Sequence, residues 1–71
     1  MKIQSRHANR DTVIVTSDWT TYTVVFSGES AQILSTGLSE ECDTSHFPDA
    51  AKNQAIAVYL IAQLELQSLE G

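Results

Sequence analysis

Along this 71-residue chain the apolar positions change their spacing once, near residue 50. Before that point they fall in short runs rich in β-branched and aromatic residues, the composition of strands. Val13, Ile14 and Val15 with their flanking threonines predict a strand over residues 11–17. Tyr22 to Ser27 predicts a second, and Ala31 to Ser35 a third that Gly37 ends. Ser17-Asp18-Trp19-Thr20 has turn chemistry at its first two positions. Ser27-Gly28-Glu29-Ser30 reads as a two-residue hairpin of type II′, because glycine at the first central position accepts a positive φ at little cost. Residues 1–10 read either as a flexible basic arm or, from Met1 to Arg6, as a fourth, edge strand.

The Gly28-Glu29 hairpin fixes a register in which Phe26 faces Ala31, Val24 faces Ile33 and Tyr22 faces Ser35. Side chains alternate along strands, so these residues share one face, joined by Val13 and Val15 if the first hairpin closes with two or four residues. The opposite face then carries Thr12, Ile14, Thr16, Thr23, Val25, Gln32 and Leu34, a threonine floor with three aliphatics. A three-residue first loop would turn Ile14 onto the apolar face instead.

Residues 38–47, LSEECDTSHF, are polar and acidic and read as a loop. Pro48 suits the first turn of a helix, and Asp49 favourably meets its positive end. The helix is expected from about Pro48 to Leu69. Its apolar residues form two stripes. Ala51, Ala55, Val58, Tyr59, Ala62, Leu66 and Leu69 make a broad, alanine-rich one, which is assigned to the Val24, Phe26 and Ile33 face because small residues allow close approach. Ile56, Leu60 and Leu64, with Ala57 and Ile61 beside them, make another. A helix apolar all round is buried all round, and a small sheet covers only one side. The second stripe, Ile56, Leu60, Ile61 and Leu64, is therefore expected to be covered by a second copy or another protein. The architecture that follows is α+β: an antiparallel meander of three or four strands with one long C-terminal helix on one face, forming a single domain over residues 1–71.

Size sharpens the need for a partner. A domain this short buries only about 60% of the surface its unfolded chain exposes, and small domains commonly add disulfides, a metal or another subunit. Cys42 is the only cysteine, so an internal disulfide is impossible. One thiol and no secretory segment suit a reducing, cytoplasmic setting. No apolar run reaches the roughly 18 residues of a membrane span. Charge is uneven: Lys2, Arg6 and Arg10 lie in the first ten residues, and beyond them only Lys52 stands against nine acids, for a net charge of −5. An acidic body repels phosphate backbones, which disfavours nucleic acid.

Candidate chemistry is sparse. Cys42 and His46, with Glu41 and Asp43, are the one cluster with metal-like ingredients, but zinc needs four ligands and only one Cys/His pair is present. The plainer reading is an acidic loop with an incidental thiol, so no metal is expected. The same loop offers no scaffold to fix a Cys-His pair for nucleophilic work. Glu40, Glu41 and Asp43 lie in the wettest segment, and three dispersed glycines match no nucleotide-binding fingerprint. No catalytic residue and no cofactor are expected.

YTVVFSGE, STG and AAKNQAIAVYLIAQLE together resemble the sheet-and-final-helix half of double-stranded-RNA-binding domains, whose last helix opens with a lysine cluster and an AK-x-x-A pattern. Ala51, Lys52 and Ala55 match that pattern. Pro48 and Asp49 stand where the family has leading lysines, the family's first helix is absent, and the segment before the helix is acidic. The hairpin-then-helix order is also similar to truncated ribonuclease-H-like antitoxin domains. Both likenesses cover residues 22–66, and the chain is assigned to neither family. The first implies the alternative function, a nucleic-acid-binding module using Lys2, Arg6, Arg10 and Lys52. The leading expectation is a small cytosolic accessory or regulatory protein, of the kind phages and mobile elements encode, that works by protein–protein binding as a homodimer. Its partner-binding candidates are Ile14, Val25 and Leu34 on the second sheet face, with Trp19 at the rim.

Overall fold

A computed structural model describes residues 2–18, 20–47 and 53–70. Strands β1 (Gln4–Asn9), β2 (Thr12–Thr16), β3 (Thr21–Ser27), β4 (Ser30–Ser35) and β5 (Leu38–Asp43) are followed by helix α1 (Asn53–Glu70). The strands form one antiparallel meander in the order β1-β2-β3-β4-β5. This is the α+β arrangement expected, with five strands rather than three or four. The expectations for Trp19, Pro48, Asp49, Ala51 and Lys52 fall outside the described residues.

Local chemistry accounts for the turns. Gly28 has φ 59°, the positive value that a two-residue loop with glycine first demands. Phe26 pairs with Ala31 and Val24 with Ile33, the register expected. Thr16 pairs with Thr21, so the first loop has four residues and Val13 and Val15 join Val24 on one face. Within that loop the Ser17 N–H donates to the Thr20 carbonyl at 2.9 Å. The N-terminal residues form a true edge strand, with Arg6 beside Ile14 and a register shift between His7 and Asn9.

The segment expected to be a loop is instead largely strand β5. Thr36 and Gly37 make another two-residue turn, with Gly37 at φ 75°, and return the chain along β4. Its acids hid it from the sequence pattern. An edge strand has one neighbour and a wet flank, so Glu40, Glu41 and Asp43 cost little there, and charge on an edge discourages unwanted strand pairing. Only the tail of the segment is irregular, where the Thr44 N–H reaches the Glu29 carbonyl at 2.7 Å.

Helix α1 lies over β1, β2 and β3, and its rotation reverses the expected one. Ile56, Ala57 and Ile61 are buried against the sheet, with Leu60 and Leu64 packed at the margin of the core. Tyr59 and Leu66, assigned to the sheet from sequence, are 51% and 46% exposed. Bulk decides the matter. Turning Ile56, Leu60, Ile61 and Leu64 inward takes four large, wholly aliphatic side chains from water, at about 1.5–3 kcal/mol each when fully buried. The other stripe offers alanines and a tyrosine beside its valine and leucines. Close approach is still met, because Ala57 sits at the contact with no exposed surface. The Ile56, Leu60, Ile61 and Leu64 stripe thus faces the sheet of its own chain, with Ile56 and Ile61 buried and Leu60 and Leu64 half-buried at the margin. At the far end of the same sheet face, Phe26, Leu38 and Cys42 pack against the cluster that holds Ala31 and Ile33.

Candidate functional site

The helix covers one face of the sheet, and strand alternation determines what remains on the other. One outward row runs Arg6, Ile14, Thr23, Leu34, Ser39 across the five strands. The next runs Thr12, Val25, Gln32, Glu41 across the last four. Val25 is therefore the diagonal neighbour of both Ile14 and Leu34, which flank Thr23 on the adjacent strands, and through it the three make one apolar patch. All three are half-buried, and no described element lies over them. Arg6 and Glu41, both exposed, stand at the two ends of the face. Gln32 Nε2 donates to Ser39 Oγ at 3.0 Å, tying the surface of β4 to that of β5. Three of the four residues proposed from sequence as a partner-binding set are thus brought together. The fourth, Trp19, lies outside the described residues.

A second constellation was not foreseen. Glu65 is 3% exposed on the core-facing side of α1, in line with Ala57 and Ile61 at four-residue steps. Its Oε2 accepts from Ser17 Oγ at 2.6 Å and from the Tyr22 phenol at 3.0 Å. Ser17 Oγ also lies 3.2 Å from the Thr20 carbonyl; its single proton goes to the nearer, charged acceptor. Oε1 is buried without a hydrogen-bond partner. Burial, the hydrogen bond to Glu65 and the carboxylate's charge together raise the Tyr22 pKa above its ordinary 10.0. The sequence did carry a signal for this group: a lone acid four residues beyond Ile61 on a stripe of large aliphatics. The arrangement staples the end of the helix to the first hairpin. It lies inside the protein, where Glu65 is 3% exposed.

The acidic segment divides by strand alternation. Cys42 and Glu40 point to the helix side, Glu41 and Asp43 away from it. Burial raises the Cys42 thiol pKa, and the nearby Glu40 charge raises it further, so less of it is thiolate at neutral pH. His46 lies tilted against Phe47, ring centroids 4.4 Å apart, and Phe47 and Tyr59 meet in a T-shaped arrangement at 5.6 Å. Among the described residues no group of three or more His, Cys, Asp or Glu side chains is placed to hold a metal ion. Of the basic residues, Arg6 and Arg10 are exposed on β1 and in the turn after it. The Lys2 N–H donates to Asp18 Oδ2 at 3.1 Å, holding the start of the chain to the first hairpin loop.

The fold and surface define a small α+β domain with one sheet face under the helix and one that no described element covers. No family model, no characterised protein and no solved structure matches the chain. No described helix is long and apolar enough to cross a membrane.

Proposed function

We propose that this protein is a small accessory or regulatory protein of the cytoplasm that acts by binding protein, through the open face of its sheet, without chemistry of its own. The observation that carries the reading is the adjoining Ile14, Val25 and Leu34 patch on a face that no described element covers. Antiparallel sheets tolerate water on one side, usually with a polar surface. Three aliphatics clustered among threonines depart from that pattern and suit a wet, reversible interface with an apolar centre. The cytoplasmic setting fits a chain with a single cysteine and hence no internal disulfide.

Affinity capture from the native host, followed by mass spectrometry, tests the reading. Val25→Glu and Leu34→Glu should abolish capture while circular dichroism shows the fold retained. Tyr59→Ala and Leu66→Ala, on the opposite side of the molecule, should leave it intact. Capture that survives both outer-face changes would place the binding surface elsewhere. A gel shift with duplex RNA that weakens steeply with salt would move the function to phosphate binding instead.

A further inference from the structure

We infer that the occupant of the open sheet face is a second copy of this chain, packed face to face about a two-fold axis that runs along the strands. This rests on the reading of that face as a protein-binding surface and specifies what binds there.

The strand order puts β1 and β5 at opposite edges of the sheet. On the open face β1 presents Arg6, and β5 presents Glu41, with Asp43 at its next outward position. All three are exposed. The face therefore reads basic, apolar, acidic from edge to edge, with β3 through the middle. Two symmetric ways of stacking such a face on itself exist. An axis across the strands lays β1 over the partner's β1 and opposes like charges at both edges. An axis along the strands lays β1 over the partner's β5 and matches opposite charges twice, while Val25 falls near the axis. Charge selects the second arrangement.

The geometry permits the contact. Arg6 and Glu41 lie in adjacent outward rows, so they are displaced by about 7 Å along the strand direction, a distance an extended arginine side chain spans. Aligned sheets pack about 10 Å apart with a rotation near 30°, which leaves room for that reach. Five strands spaced about 4.8 Å apart, each about six residues long, give a face on the order of 400 Å² per copy. That is at the low end of specific interfaces, so the dimer should be reversible and dependent on concentration. Docking of β1 on β5 edge to edge would use the same charges but is a heterologous contact, which gives rings or open-ended chains and not a two-fold dimer.

Sedimentation of the purified protein over a range of concentrations tests the inference. A monomer–dimer equilibrium is expected. Arg6→Glu alone and Glu41→Arg alone should each weaken the dimer by about tenfold, and the two together should restore it to within about threefold. Val25→Glu should leave only monomer. Should Val25→Glu fail to fold, the exposed charge-swap pair decides by itself. A wild type that stays monomeric, oligomers that grow beyond the dimer, or a charge swap that does not restore association would each overturn the inference. A monomeric wild type whose capture of another protein is still lost in Val25→Glu would refute the second copy and leave the binding surface standing. A restored charge-swap dimer supports the second copy whatever the capture experiment returns.

Discussion

Tyr22 and Glu65 meet inside the protein, the phenol donating a 3.0 Å hydrogen bond to Oε2 of a carboxyl group that is 3% exposed. With the 2.6 Å contact from Ser17, one oxygen of one side chain joins the first hairpin to the helix across 48 residues of sequence. The other oxygen, Oε1, is buried and unpaired, which is costly for a charged group.

Removing that acceptor and neutralising it should have different effects. Glu65→Ala leaves the Ser17 and Tyr22 hydroxyls without their acceptor and should lower stability by about 1–3 kcal/mol in urea denaturation. Glu65→Gln keeps an acceptor oxygen for both hydroxyls and removes a buried charge, so its loss should be smaller. Equal losses would mean that the charge, rather than the accepting oxygen, holds the two elements together.

Alkaline pH should weaken the fold through Tyr22. Its folded-state pKa lies above the ordinary 10.0, so the unfolded chain gives up the phenolic proton first. Below about pH 10 the contribution is fully present; as pH rises past that value the native state binds more protons than the unfolded state, and stability falls. Thermal melting followed from pH 8 to 11 should show this decline in the wild type and a shallower one in Tyr22→Phe, which lacks the titrating group. Parallel curves would remove Tyr22 as the cause.

The rotation of the helix predicts an asymmetry between its two apolar stripes. Ile61 has no exposed surface, so Ile61→Ala should cost about 2–5 kcal/mol. Leu66→Ala, on the exposed side, should change stability by less than about 1 kcal/mol. Denaturant midpoints with an unchanged m-value would measure both. A larger loss at Leu66 than at Ile61 would show the helix turned the other way.

Asp43 should titrate below its ordinary value because the Ser45 N–H, 2.9 Å from Oδ1, stabilises the carboxylate. The backbone donor contributes most, and the Ser45 hydroxyl adds to it. Since the folded pKa is depressed, the stabilisation is present above pH 3.8 and is lost as pH falls through the folded value. Ser45→Pro removes the backbone donor and should return the carboxyl towards 3.8, as seen by NMR titration. Ser45→Ala keeps that donor and should retain most of the depression.

Much of the fold is written in local chemistry. Gly28, the alternation from Tyr22 to Phe26 and the β-branched runs specify the central hairpins and their register, because turn geometry and period-two burial act over a few residues. They also place Val25 and Leu34 on one face before any tertiary contact is known; Ile14 joins them only because the loop between β2 and β3 has four residues and not three. Strand β5 was not legible, since an edge strand with a wet flank can carry acids on both of its faces at little cost, which hides the period of two. Glu65 gave a faint signal, an acid on an aliphatic stripe, but its partners Ser17 and Tyr22 are distant in sequence and only packing brings them to it.

The sequence by itself determined the order of the three central strands and the helix, the register of the Gly28 hairpin and the apolar character of the helix on all sides. Which stripe of that helix would be buried lay beyond it. Both stripes are apolar, and periodicity shows that two exist without ranking them. The tertiary structure lays Ile56, Leu60, Ile61 and Leu64 on β1, β2 and β3, which takes four large aliphatic side chains from water. That choice turned Tyr59 and Leu66 to the outside, and the threonine-lined face of the sheet is the broad surface that no described element covers.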